Sequence, residues 1–229
     1  MPDAIGTVVV TGGSSGLGAA VAAAVEEAGG TPVVLDRQPP PNGFGWEEVD
    51  LARPRAAETA VRRAAAAHGG LDAVVTCAGI DACGELGDID PEDWERVIMV
   101  NLVATAAVVR AALPFLEERR GRVVTVASTL GMRALPAATA YCASKFGVVG
   151  FTRALAAETA DRIGVTLLIP GGMQTHFFDD RPDEFKPAPD QRLNRPEDVA
   201  RSVIFALSQP AGCELRELLV APAAEPSWP

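Results

Sequence analysis

A β-branched run, Thr7–Thr11 (TVVVT), passes without a spacer into Gly12, Gly13, Gly16 and Gly18 (GGSSGLG) and then into an alanine-rich segment. Few structures accept such a stretch. The valines suit a strand buried on both faces and the alanines suit a helix. Glycines between the two allow close approach to the backbone. Free N–H groups and the helix dipole at that junction favour an anion. A second strand, Pro32–Leu35, runs into Asp36, eighteen residues after Gly18. Strand, glycine loop, helix, strand and acid in this order make a dinucleotide site, the loop (11–18) taking a diphosphate and Asp36 the ribose hydroxyls. Tight strand–helix packing is the alternative use of a lone glycine loop, and the placed acid argues against it.

Further apolar runs repeat the strand pattern: Ala73–Thr76, Arg122–Val126, Val165–Ile169 and Leu218–Ala221. They are continuous rather than alternating, as in a sheet covered on both faces. Between them Ala19–Ala28, Pro54–Ala67, Pro91–Arg119, Thr139–Asp161 and Pro196–Leu207 read as helices. Two of these open with Pro-Glu-Asp, a first-turn signal, and Asp90 is placed to cap the first. The alternation predicts an α/β, three-layer, doubly wound Rossmann fold with a mostly parallel sheet and helices on both faces. With 229 residues, 48% of them hydrophobic, the chain suits one domain spanning 1–229. Two segments read as irregular. Arg37–Gly45 holds three prolines, which forbid a helix, and Phe177–Asn194 holds three more, within an expected substrate flap at about 173–194.

The net charge of −10 argues against a nucleic-acid partner. Cys77, Cys83, Cys142 and Cys213 form no CxxC pair, and with two histidines they make no metal set. Reduced thiols and the lack of a basic leader in Met1–Gly13 lead to the expectation of a cytoplasmic protein. The apolar stretch Val97–Val109 reads as too short to span a bilayer, which takes about 20 residues.

Tyr141 is the only tyrosine, and Lys145, one of two lysines, follows it by one helical turn. An ammonium beside a phenol favours the phenolate, so the pair predicts a lowered phenol pKa and a proton donor for carbonyl reduction or alcohol oxidation. A surface tyrosine stacked on a lysine stem is the structural alternative. Cys142, the next residue along the helix, faces about 100° away and reads as packing.

The pattern TGxxxGxG, Asp36, the Tyr141/Lys145 pair and a serine thirteen residues before the tyrosine together resemble the short-chain dehydrogenase/reductase family, from Thr7 to about Leu207. The resemblance implies roles. Tyr141, on a catalytic helix 139–161, is the acid/base, and Lys145 lowers its pKa and binds the nicotinamide ribose. Ser128 holds the substrate oxygen, and Asn101 keeps a water in the proton relay. Gly12, Ser14, Ser15, Gly16, Leu17 and Gly18 cradle the diphosphate. Asp36 and Arg37 meet the adenosine ribose, and Asp50 and Leu51 the adenine. Cys77, Ala78 and Gly79 stand where the family has Asn-Ala-Gly. Pro170, Gly171 and Thr175 close over the nicotinamide. Met132, Arg133, Met173, His176 and Phe177 border the substrate. The C-terminal strand lacks the family's Asp-Gly-Gly finish, and Trp228 either covers an apolar surface or frays. The implied activity is NAD-dependent interconversion of a small secondary alcohol and a ketone in a homodimer or homotetramer. An NADP-linked carbonyl reductase using Arg37, and a non-catalytic dinucleotide sensor, are the alternatives.

Overall fold

In a computed structural model, residues 5–226 and 228 are described. The stretch of the leader reading at residues 1–4 lies outside them. Seven strands form one sheet in the order β3-β2-β1-β4-β5-β6-β7. They are β1 (Thr7–Thr11), β2 (Thr31–Asp36), β3 (Gly45–Glu48), β4 (Ala73–Thr76), β5 (Arg122–Val126), β6 (Gly164–Pro170) and β7 (Glu217–Val220). All six pairings are parallel. The valines of β1 and β4 are fully buried because helices cover both faces. One face carries α1 (Gly16–Glu27) and α6 (Pro196–Leu207), packed on Val8, Val10 and Val75. The other carries α2 (Pro54–His68), α4 (Ala104–Arg119) and α5 (Thr139–Glu158).

The sheet order reverses direction between β1 and β4, and the strand ends there open a crevice, the usual ligand position in doubly wound sheets. Every candidate described below lies at or near those ends.

Four differences from the expected elements have local causes. The edge strand β3 pairs in register with β2, Val34 opposite Trp46, although GWEE has no apolar run. An edge strand needs hydrogen bonds on one side only. The helix expected at Thr139–Asp161 stops at Glu158, and Asp161 turns into the left-handed region at φ 63°. The helix expected at Pro91–Arg119 is three segments: α3 (Pro91–Ile98), a π-helical turn Met99–Val103, and α4. Asp90 caps α3, accepting the Glu92 N–H at 2.8 Å. Lastly, an 18-residue window in Pro91–Arg119 has mean hydropathy 1.9, so by length and composition it is apolar enough to cross a membrane, contrary to the reading of Val97–Val109. More than half of that window is buried within the protein, where it packs on the sheet and α2.

Candidate active site

One cleft of about 570 Å³ runs along the strand ends from Asp36 to Tyr141. Its first wall is the glycine loop. Gly12 has φ 70°, and a Cβ there would lie 2.8 Å from the Ala78 backbone. A Cβ on Gly18 would come within 2.1 Å of the Gly12 carbonyl oxygen. Both positions therefore require glycine to bring β1, α1 and the β4 end together. Ser15 sits at the N-cap of α1 with extended backbone and leaves the first N–H groups of the helix open to the cleft. Thr175 stands across from Gly16, its methyl 3.3 Å from where a Cβ would be. Loop and Thr175 thus flank a narrow channel lined with backbone donors, the shape a diphosphate fits.

Asp36 ends β2 on the cleft wall and accepts the Ser14 N–H at 3.2 Å and the Gln38 N–H at 3.3 Å. Ser14 itself is not on the wall. Its hydroxyl donates to the Gln38 carbonyl, so it fixes the acid instead of facing a ligand. Arg37 does line the cleft beside Asp36, because the strand ends at Asp36 and strict alternation ends with it. Asp50 and Leu51 line the same end, with Asp50 3.7 Å from Arg96. Cys77, Ala78 and Gly79 form the floor, and the Ala78 N–H donates to the Thr11 hydroxyl at 3.1 Å. The Thr76 hydroxyl, buried under them, has no partner among the described residues. Burial pushes the Cys77 thiol up to about 12, so it is a neutral wall group.

The other end of the cleft gathers the proton-transfer candidates. Ser128 caps a 3-10 turn, Thr129–Gly131, through the Leu130 N–H at 3.1 Å, and its side chain also bonds Tyr141. Lys145, 3% exposed, donates to the Val126 carbonyl at 2.9 Å and lies 5.6 Å from the Tyr141 ring centroid. Asn101, 1% exposed, sits in the π turn. Its side chain accepts the Ile80 N–H at 2.8 Å and donates to the Ile80 carbonyl at 2.9 Å and the Ser144 hydroxyl at 3.0 Å. Ser144 in turn donates to the Tyr141 carbonyl at 2.8 Å. Asn101 therefore clamps the chain after β4 to α5, and the wide π turn is what carries its side chain to both. Asn101 Oδ1 and Lys145 Nζ converge over Gly79, 3.7 and 3.6 Å from where its Cβ would be.

The expected lowering of the phenol pKa is not found. Burial pushes Tyr141 up to about 12; the Ser128 hydrogen bond pulls down and the Asp81 charge pushes further up. Lys145, tethered to Val126, falls to about 8 because burial disfavours its ammonium. Desolvation is the largest effect on both groups, so at neutral pH Tyr141 is a protonated donor.

Pro170, Gly171, Met173, His176 and Phe177 also line this end. Met132 and Arg133 do not: the turn aims Leu130 at the cleft, Met132 packs on the cluster containing Val148 and Ile169, and Arg133 is exposed. His176 points outward and pairs with Asp179 at 2.7 Å. Phe178 lines this end beside Phe177, and wall residues that sequence reasoning does not reach include Arg181, from the flap, and Glu225, from the C-terminal tail, which accepts the Gly172 N–H at 2.9 Å. Their partners lie too far off in sequence for spacing to reveal them. The tail is half-buried at Trp228 rather than frayed.

The glycine cradle, the acid at the end of β2 and the channel between them fit a nicotinamide dinucleotide. The comparisons agree. The short chain dehydrogenase family model matches residues 6–185. An uncharacterized oxidoreductase of Staphylococcus aureus strain MW2 is 30% identical over 226 residues, covering 93% of this chain and 96% of its own. The D-beta-hydroxybutyrate dehydrogenase of Cupriavidus necator is 31% identical over 228 residues, covering 90% of this chain and 84% of its own. An archaeal alcohol dehydrogenase from Thermococcus sibiricus, solved with 5-hydroxy-NADP, shares the fold with a TM-score of 0.84 at 22% identity, covering 93% of this chain and 95% of its own. With a family match over most of its length and relatives aligned nearly end to end, this chain belongs to the short-chain dehydrogenase family and is an oxidoreductase of that family.

Proposed function

We propose that the protein interconverts a secondary alcohol and a ketone with NAD, using Tyr141 as acid/base. The observation that carries this reading is the hydrogen bond between Ser128 and Tyr141 at one end of a cleft whose other end is Asp36. Bound NAD supplies the nicotinamide C4 that exchanges hydride with the carbinol carbon. The chain's own residues do the rest. Ser128 receives the substrate oxygen, and Tyr141, protonated at neutral pH, gives it a proton in reduction and takes one in oxidation. Lys145 stands beneath the tyrosine ring and, with a pKa of about 8, passes a proton on. Phe177, 5.6 Å from the Tyr141 ring, shields the reacting oxygen from water. Asn101 holds this floor in place through Ile80 and Ser144.

The Asp36 carboxylate at the adenosine end supports NAD, since it would repel a 2′-phosphate. Arg37 on the same wall supports NADP as the second reading. A non-catalytic sensor has no use for a buried lysine under a serine-bonded tyrosine. The test is a set of secondary alcohols, beginning with short 3-hydroxy acids in view of the Cupriavidus relative, followed by absorbance of the reduced nicotinamide with each cofactor. No turnover with any alcohol would leave the sensor reading standing. The proposal extends to a cytoplasmic homodimer or homotetramer, in keeping with the apolar side chains Phe146 on α5 and Phe205 on α6 exposed to solvent; a monomer by light scattering at micromolar concentration would refute the assembly.

A further inference from the structure

The flap contributes a charged group that neither the glycine loop nor the Tyr141 set employs. Arg181 lines the cleft with its guanidinium stacked against two rings, 5.0 Å from Phe177 and 4.6 Å from Phe178. Phe177 is the ring that touches Tyr141. The guanidinium therefore stands one phenyl ring beyond the reacting oxygen. Its Nη2 donates to Asp81 Oδ2 at 2.5 Å and its Nη1 to the Phe185 carbonyl at 3.3 Å. Its Nε–H is buried and has no partner among the described residues.

We propose that Arg181 recognises the substrate, and that the alcohol or ketone turned over carries a carboxylate a few bonds from the reacting carbon. The proposal rests on the oxidoreductase reading above and names the substrate class for it. Three observations support it. A buried charged donor without an acceptor is costly, and an oxygen arriving with the substrate removes that cost. The planar guanidinium presents Nε–H alongside an Nη–H, a fork that matches the two oxygens of a carboxylate. The two stacked rings hold that fork in a fixed plane, so little freedom is lost on binding. The distribution of charge agrees. Arg181, Lys186 and Lys145 face the cleft, whereas Asp81 and Asp183, which pair with the first two, are not on its wall. The acid that does line this end, Glu225, already accepts the Gly172 N–H. On the wall at this end the cations therefore outnumber the acids, which favours an anion within the cleft.

The competing explanation is a latch: the Arg181–Asp81 pair holds the flap to the chain after β4 and reads nothing. The experiment compares kcat/KM for 3-hydroxybutyrate, 3-hydroxybutyramide and 2-butanol, with NAD and with NADP, in wild type, Arg181→Met, Arg181→Lys and Asp81→Asn. Wild type is expected to favour the acid over the amide by about tenfold or more, or roughly 1.4 kcal/mol. Arg181→Met should erase that ratio, mainly through KM for the acid. Arg181→Lys, which keeps the charge and loses the fork, should leave a ratio between the two and serves if the methionine variant does not fold. Asp81→Asn frees an arm of the guanidinium and should lower KM for the acid. A latch predicts instead that all three variants raise KM for acid and amide alike, with the ratio unchanged, and that result overturns the proposal. A wild type that turns over 2-butanol and the amide as well as the acid overturns it also, while leaving the oxidoreductase reading intact. No turnover of any of the three with either cofactor overturns both.

Discussion

The glycine wall of the cleft is held by backbone, whereas the opposite wall, beyond the backbone bonds that join Gly172 and Gln174 to Asn194 at the base of the flap, is held by side chains. On the first, Gly12 and Gly18 press against carbonyl and Cα atoms of neighbouring elements, and Asp36 is fixed by two backbone N–H groups. On the second, the flap is fastened by one ion pair spanning 100 residues, by ring stacking around Arg181, and by the tail carboxylate of Glu225 on Gly172. A backbone wall tolerates almost no change at its contact points but needs few particular side chains. A side-chain wall can be rewritten residue by residue without disturbing the sheet. The invariant part of the ligand belongs against the first and the variable part against the second, as expected when a fold keeps its cofactor and changes its substrate.

The largest effect expected is at the junction of the walls. Tyr141→Phe keeps the ring on Phe177 and removes the proton, so turnover should fall by about 10² to 10⁴. Cofactor affinity, measured by calorimetry, should stay within a factor of about two, because the glycine wall is untouched. Retention of half the wild-type rate would remove Tyr141 from the mechanism.

Next in size is a test of the backbone wall itself. In Gly18→Ala the new methyl would sit 2.1 Å from the Gly12 carbonyl oxygen, and no flexible side chain is there to yield. The loop must shift, and cofactor Kd should rise by at least about tenfold, roughly 1.4 kcal/mol. An unchanged Kd would show the loop to be more pliant than its packing implies.

How far the sequence reveals each wall follows the same division. The glycine wall is built from neighbours in sequence: strand, loop, helix and acid lie within Thr7–Asp36, where periodicity and glycine spacing are direct readouts of backbone geometry. The Tyr141/Lys145 pair is equally local, one helical turn apart. The π turn at Asn101 is not, since its apolar neighbours fit an α-helix just as well and its cause is a side chain reaching Ile80 and Ser144, 21 and 43 residues away. Arg181 and Glu225 are hidden for the same reason. The sign of the Tyr141 shift was misjudged because a pair interaction can be read from spacing, whereas burial is a property of the assembled fold.

Proton flow gives a third test. Lys145 falls from 10.5 to about 8 because burial favours its neutral amine. Below pH 8 it is an ammonium and cannot take the proton that alcohol oxidation releases through Tyr141; above pH 8 it can. Oxidation should therefore rise up to about pH 8 and level off, and ketone reduction should decline over the same range. The folded chain also binds this proton more weakly than the unfolded chain, so this group makes the fold gain stability between pH 8 and 10.5. A Lys145→Met enzyme whose residual oxidation still breaks near pH 8 would assign the inflection to another group.

Cofactor choice is a smaller effect on the backbone wall. With Asp36 and Arg37 side by side, NAD should be preferred by about tenfold in kcat/KM, about 1.4 kcal/mol. Asp36→Ala should narrow the gap chiefly by improving NADP. A wild-type preference for NADP would mean that Arg37 reads the ribose.

The smallest effect tests the floor where the two walls meet. Thr76 ends β4 beneath Cys77 and Gly79, 2% exposed, and its hydroxyl has no partner among the described residues. An unsatisfied buried hydroxyl costs about 1–3 kcal/mol, so removing it should stabilise the fold. Thr76→Val keeps the β-branched shape that the strand requires and exchanges the hydroxyl for a methyl. The methyl is slightly larger, and tight packing recovers part of the gain. A net rise of about 1 kcal/mol corresponds to roughly 2–4 °C in Tm for a chain of this size. Cofactor affinity should not change, because Thr76 lies below the wall and not on it. A fall in Tm would mean that the hydroxyl has a bonding partner in solution and that the floor, like the flap, is held by side chains.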